Sequence, residues 1–158
     1  MECNFGSRTA AYRNNTKFII DVADYDKFVK GYSFILHNKG YVQYSSKKDG
    51  LCHKRLHRMI MGEPDGKMID HINVNPLDNR RENLRVCTNQ QNLFNKNKYS
   101  NNTSGFKGVS FHKNAQKFVA SISIDGKLKH LGYFATAAAA HEEYKIAAVK
   151  YHGEFAHF

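Results

Sequence analysis

The chain has 158 residues, 41% hydrophobic and 24% charged, with a formal net charge of +10 at pH 7. That length suits one domain or two small ones, and that balance excludes wholesale disorder. No apolar run approaches the roughly 18 residues of a membrane span, and Met1-Glu2-Cys3-Asn4-Phe5-Gly6 lacks the apolar core of a signal peptide, so a cytoplasmic protein with no membrane partner is expected. Three cysteines, Cys3, Cys52 and Cys87, are odd in number and widely spaced. They support neither a disulfide framework nor a CxxC zinc site. The positive surplus favours a polyanionic partner through phosphate neutralisation and counterion release; the competing explanation is a generic basic surface.

Residues 1–16 are polar and irregular and are expected to form a flexible arm. Phe18-Ile19-Ile20-Asp21-Val22 reads as a short strand, and Asp24–Val29 as one helical turn. Tyr32–Leu36 and Tyr41–Tyr44 flank Asn38-Lys39-Gly40, which is hairpin turn chemistry. Lys47-Lys48-Asp49-Gly50 reads as a further turn, and Arg55–Met61 as a short helix stopped by Gly62. Asp70-His71 closes a short apolar run and so falls at a strand end. Adjacent strand residues point to opposite sides, so only a bend or loop lets both serve one site. A carboxylate there suits a hard cation, and a neutral imidazole can take a proton from water. Pro76-Leu77-Asp78-Asn79 is turn chemistry, Glu82–Arg85 resumes order, and Thr88 is placed to cap a helix carrying Asn92. The order is strand, loop, strand, helix.

Residues 96–103 belong to an Asn-rich linker. Beyond it, Gly108–Phe111, Phe118–Ile124 and Lys127–Leu131 read as three strands, the last two joined by Asp125-Gly126. Ala120, Ile122 and Ile124 share one face; Ser121 and Ser123 share the other. Thr136 reads as an N-cap for a helix from Ala137 to Tyr151, with Ala140, Tyr144, Ala147 and Tyr151 on one stripe and Gly153 as its stop. The fold class is therefore α+β, ending in a three-stranded antiparallel sheet crossed by one helix.

The run Asp70-His71-Ile72-Asn73, then Leu77-Asp78-Asn79-Arg80-Arg81-Glu82-Asn83-Leu84-Arg85, Thr88 and Asn92 resembles the HNH endonuclease family in its phage and intron homing form, and the resemblance takes in His57-Arg58. It implies a ββα-metal finger over about residues 66–95 within a nuclease domain of 17–95, preceded by a strand-rich hairpin region. By that resemblance His71 is the general base, Asp70 and Asn92 hold a divalent metal (Mg2+, with Mn2+ also supporting activity, and no zinc), and Asn83 holds the loop that orients the histidine. Arg80, Arg81 and Arg85 are the candidates for phosphate contact, with His57 and Arg58 expected in packing or DNA-backbone contact.

Residues 104–158 resemble the AP2 domain through Ser104–Val109, Lys117–Ile122, Leu131-Gly132-Tyr133-Phe134, Ala139-Ala140, Tyr144, Ala147-Ala148 and Gly153. That family lays its sheet in the major groove of double-stranded DNA. The Arg and Trp usual on that face are replaced here, and Trp is absent from the chain. The resulting candidates for DNA contact are Lys96, Lys98, Lys107, Ser110, His112, Lys113, Lys117, Ser121, Ser123, Lys127, Lys129 and His130. Together the two resemblances imply a DNA endonuclease acting as a monomer or weak dimer, phage-encoded and working inside a bacterial host. The alternatives are a non-catalytic DNA-binding regulator and, less favoured by the motifs, an RNA-binding protein.

Overall fold

The computed structural model describes residues 7–11, 17–45 and 53–158. The chain forms two compact units that divide between Thr88 and Asn89. The sequence places the division later, at 96–103.

In the first unit, β1 (Ser7–Ala11) pairs antiparallel with β2 (Lys17–Asp21), Ser7 opposite Asp21 and Ala11 opposite Lys17. Part of the expected arm is thus a strand, because β2 offers it a row of backbone donors and acceptors. The remainder of the arm lies outside the described residues. Phe18 and Ile20 alternate inward on β2 and are fully buried. α1 (Val22–Phe28) follows directly. The hairpin read around Gly40 forms as β3 (Phe34–Leu36) against β4 (Val42–Tyr44), with Leu36 opposite Val42. Gly40 has φ +84°, and a Cβ there would stand 3.1 Å from the Pro76 ring, so this turn admits glycine alone without strain. The turn expected at 47–50 lies outside the described residues. α2 (Leu56–Met61) stops at Gly62, as the sequence indicates.

β5 (Met68–His71) and β6 (Leu84–Cys87) pair antiparallel, joined by a loop over 72–83. Phe18, Ile20, Phe34, Val42, Tyr44, Leu56, Ile60, Ile69 and Leu84 form one core, so the β5–β6 hairpin is anchored on the same apolar mass as β2, β4 and α2.

The second unit begins with α3 (Asn89–Phe94), at the place where a helix was expected after Thr88. Its Phe94 stacks on His152 with ring centroids 3.6 Å apart. Three antiparallel strands follow in the order β7 (Val109–His112), β8 (Lys117–Ile124) and β9 (Lys127–Phe134). β9 runs three residues past its expected end, because Gly132, Tyr133 and Phe134 pair with Ala120, Val119 and Phe118 across a bulge at Ala120/Ser121. α4 (Ala137–His152) is capped as expected: Thr136 Oγ1 accepts from the Ala139 amide at 3.2 Å. It lies on the face carrying Ala120 and Ile122. Gly108 is where that packing is closest, since a Cβ there would meet the Tyr144 ring at 2.0 Å.

The expected α4 stripe needs one correction. Tyr151 lies at the rim, its hydroxyl 2.8 Å from Lys129 Nζ, and His152 takes the buried place instead, bonded to the Ser123 carbonyl at 2.9 Å.

Candidate active site

The loop between β5 and β6 is held by its own side chains. Asn83 Nδ2 donates to the Asp78 carbonyl at 2.8 Å, while its Oδ1 accepts from the Asn73 amide at 3.0 Å. The Ile72 amide donates to the Asn83 carbonyl at 2.8 Å. The Asp78 carboxylate accepts from Asn73 Nδ2 at 2.9 Å and from Arg80 Nε and a terminal nitrogen at 2.8 and 2.7 Å. That guanidinium keeps the Asp78 carboxyl below its ordinary range. β2 clamps the same loop from outside: Ile19 donates to Leu77 and accepts from Asn79, both at 2.8 Å. The network fixes Val74 at φ +61°, a conformation that costs a β-branched residue about 1–3 kcal/mol. Asn83 therefore sits where it can set the loop, and the loop adjoins His71 directly.

Asp70 and His71 point to opposite sides of β5, as strand geometry demands. Asp70 faces its cross-strand partner Arg85, whose Nε and terminal nitrogen lie 3.2 and 3.1 Å from one carboxylate oxygen. Both side chains are about nine-tenths buried. His71 is turned the other way and is buried. Its ring lies 5.0 Å from that of His57 and 6.0 Å from that of Tyr41. Burial lowers the pKa of His71 and outweighs the opposing pull of the Asn79 amide, Asp70 and Asp78. The imidazole is therefore neutral at physiological pH, the form that accepts a proton.

The structure redistributes several expected contacts. His57, expected in packing or DNA-backbone contact, packs: it is only 2% exposed on the inner face of α2. Its place beside Leu56 and Ile60 on the apolar stripe of a short helix removes it from any phosphate. Burial, with His71, Arg55 and Arg58 adding to it, takes its pKa down to about 3. Arg81, expected at phosphate, forms a fork onto buried Asp24 at 2.7 and 2.8 Å, and its backbone amide donates to Asp21. Arg80 is engaged by Asp78 and Glu82, and Arg58 by Glu63 at 2.8 Å. Each of these charges is compensated inside the fold, because a guanidinium fork matches a carboxylate edge with two donors.

In the second unit, register separates the two faces of the sheet. Ser110, Val119 and Tyr133 lie in one row across the outer face, with His112 beside Lys117, Ser121 beside His130 and Ser123 beside Leu128. Lys127 and Lys129 fall on the helix side, paired with Ile124 and Ile122, and Lys129 is drawn to Tyr151. The two-residue turn Asp125-Gly126 sets this register, so both lysines follow the isoleucines and not the serines. Lys107 also turns inward: its Nζ donates to the carbonyls of Phe94 and His157 at 2.6 and 2.9 Å, and burial lowers its pKa to about 8. Lys98 donates to the Gly105 carbonyl at 2.8 Å. Lys96, Lys113 and Lys117 are exposed. Sequence reading missed Tyr133, half-exposed between His112 and His130 at centroid distances of 5.5 and 4.9 Å. It also missed Asn79, which is fully buried beside His71. The signal for Asn79 is the Leu77-Asp78-Asn79 run, which turn chemistry alone also explains.

Asn92 lies on α3 in the second unit. Among the described residues no three His, Cys, Asp or Glu side chains converge on a common point. The Asp70 carboxylate is an oxygen donor of the kind a hard cation takes.

The HNH endonuclease family model matches residues 52–93. Over 131 residues, 81% of this chain, the sequence is 34% identical to an uncharacterized HNH endonuclease of Acanthamoeba polyphaga mimivirus, of which the match covers 67%. Over 64 residues, 40% of the chain, it is 38% identical to protein 3.8 of Escherichia phage T7, of which 53% is covered. The chain belongs to the HNH endonuclease family. It spans about half the length of the phage relative and two thirds of the viral one. No solved structure matches it. Among the described residues no helix is long and apolar enough to cross a membrane.

Proposed function

We propose that the chain is a divalent-metal-dependent endonuclease that hydrolyses phosphodiester bonds in double-stranded DNA. The observation that carries this reading is His71: a neutral, buried imidazole at the end of β5, beside a loop that Asn83 and Asp78 tie together. His71 takes the proton from the attacking water. Asp70 is the protein carboxylate for one cation, with the Asn92 amide as the second protein donor that the family resemblance implies. When bound, that cation supplies charge stabilisation to the phosphorane and to the leaving 3′ oxygen. Mg2+ suits the donors best, and Mn2+ substitutes. The products are a 5′ phosphate and a 3′ hydroxyl, one strand cut per active site, so a monomer nicks.

The second unit, in this reading an AP2-like module, grips the duplex through the outer face of its sheet. Lys113, Lys117 and Lys96 supply phosphate contacts; Ser110, His112, Ser121, Ser123, His130 and Tyr133 lie where base edges or sugars would meet the sheet. The test is His71→Ala. It is expected to abolish cleavage of target DNA while the affinity for that DNA stays within about two-fold of wild type. Normal cutting by this variant would overturn the assignment of the base.

A further inference from the structure

His57 has no part in the chemistry proposed above, yet it is a polar ring held in a hydrophobic core. It is 2% exposed, flanked along α2 by Leu56 and Ile60, and its Nδ1 has no hydrogen-bond partner among the described residues. A leucine would fill an apolar helix face without stranding a buried nitrogen. What a leucine lacks is a flat ring with a polarised edge, and the surroundings of His57 are those of such a ring. Its plane stands at 80° to that of His71, with centroids 5.0 Å apart, the edge-to-face arrangement. Tyr41 packs on both imidazoles, 5.2 Å from one and 6.0 Å from the other. The Arg55 guanidinium lies over the Tyr41 ring, 4.7 Å from its centroid. Thus the His71 ring packs against two aromatic planes, and Asn79 of the loop bonds it as well.

From this geometry we infer that His57 is a positioning residue for His71, fixing the plane of the imidazole by edge-to-face packing within a Tyr41–His57–His71 ring cluster. The inference rests on the reading of His71 as the base. A base contributes only while its lone pair is aimed at the water, and rotation about the Cβ–Cγ bond exchanges the two ring nitrogens for carbons in that direction. Two hard planes meeting near a right angle hold the imidazole in one plane and resist its turning out of it, while the Asn79 contact distinguishes ring nitrogen from ring carbon. His57 brings no competing positive charge with it, because buried imidazole stays uncharged.

The test compares two replacements in the full chain. His57→Phe keeps a flat ring, and His57→Leu keeps only the apolar volume. For His57→Leu the expected result is a fall in the single-turnover cleavage rate of about 10- to 100-fold, with DNA affinity unchanged, since small misplacements of a reacting group act on rate rather than binding. His57→Phe is expected to recover most of that loss. Nitrogen-detected NMR of the imidazoles supplies a readout independent of activity: one set of His71 ring signals in wild type, and averaged signals in His57→Leu. Cleavage by His57→Leu at the wild-type rate, or a Phe variant no better than the Leu variant, would overturn the inference. Should His57→Leu not fold, Tyr41→Leu removes the other plane and is expected to give the same loss of rate without loss of affinity; an unchanged rate there counts equally against it. If His71→Ala still cuts while His57→Leu disturbs the His71 signals, the general-base reading fails and the packing claim stands.

Discussion

The two units carry their positive charge in different currencies. All seven arginines of the chain lie within residues 1–88, whereas residues 89–158 hold nine lysines and no arginine. In the first unit Arg58, Arg80, Arg81 and Arg85 each meet a carboxylate of the same fold, Arg81 and Arg80 as two-pronged forks. In the second, Lys113 and Lys117 project from the β7–β8 end of the sheet into solvent. A planar fork with several fixed donors ties loops together; an ammonium on a flexible stem is a point charge suited to phosphate. The difference teaches that charge counted along a sequence is not charge offered to a ligand. The first unit uses these four arginines as scaffold; in the second, Lys96, Lys113 and Lys117 are exposed while Lys98, Lys107, Lys129 and Lys145 are engaged within the unit.

That contrast is broken or sharpened by a graded set of changes. The largest effect is expected from Asp70→Asn, which keeps the shape of the carboxylate and removes its charge: cleavage falls by at least about a hundredfold and Mn2+ binding followed by EPR is lost. Retained Mn2+ affinity would place the cation elsewhere. Next comes Asn83→Leu, which strands the Asp78 carbonyl and the Asn73 amide. It is expected to lower unfolding stability by about 1–3 kcal/mol in urea titrations and to slow cleavage as well, whereas a surface change in the second unit does neither.

The third change is in pH. The folded pKa of His57, about 3, lies below its unfolded value near 6.5, so the unfolded chain binds the proton first. Stability from this group is full above pH 6.5 and is lost as pH falls toward 3; at pH 5 the loss is about 2 kcal/mol. The lowered pKa of His71 acts in the same direction. Denaturation at pH 7 and pH 5 is expected to show the drop in wild type and a smaller one in His57→Phe. The mildest expected effect concerns salt. Lys113→Gln and Lys117→Gln each reduce the slope of log affinity against log salt by about one, while Arg80→Gln and Arg81→Gln leave the slope unchanged and reduce stability.

Much of the fold was legible because it is written in local chemistry. Asn38-Lys39-Gly40 and Asp125-Gly126 mark their turns, Thr136 caps α4, and the Asp-His pair falls at the end of β5 as the apolar run Met68-Ile69 suggests. What escaped depends on partners distant in sequence. Ser7–Ala11 has no strong strand pattern and becomes a strand by pairing with β2. Arg81 reads as a phosphate ligand until Asp24, 57 positions earlier, is found beneath it. Lys127 and Lys129 read as outer-face residues from their charge, although the Asp125-Gly126 hairpin sets them opposite Ile124 and Ile122. Within the site, the order of Asp70, His71 and Asn83 and the tie that Asn83 makes were visible as motif and then as hydrogen bonds. The ring wall of Tyr41 and His57 was not, since it is assembled from a turn and a helix that carry no shared pattern.

The central claim, metal-assisted strand cleavage by this chain, is tested most directly by incubating the full-length protein with supercoiled plasmid containing target DNA, with Mg2+ and in parallel with EDTA. The account predicts conversion to the nicked circle with Mg2+ alone. Equal nicking in EDTA would contradict it, and so would an intact plasmid with Mg2+ under conditions where the same protein is shown to be bound.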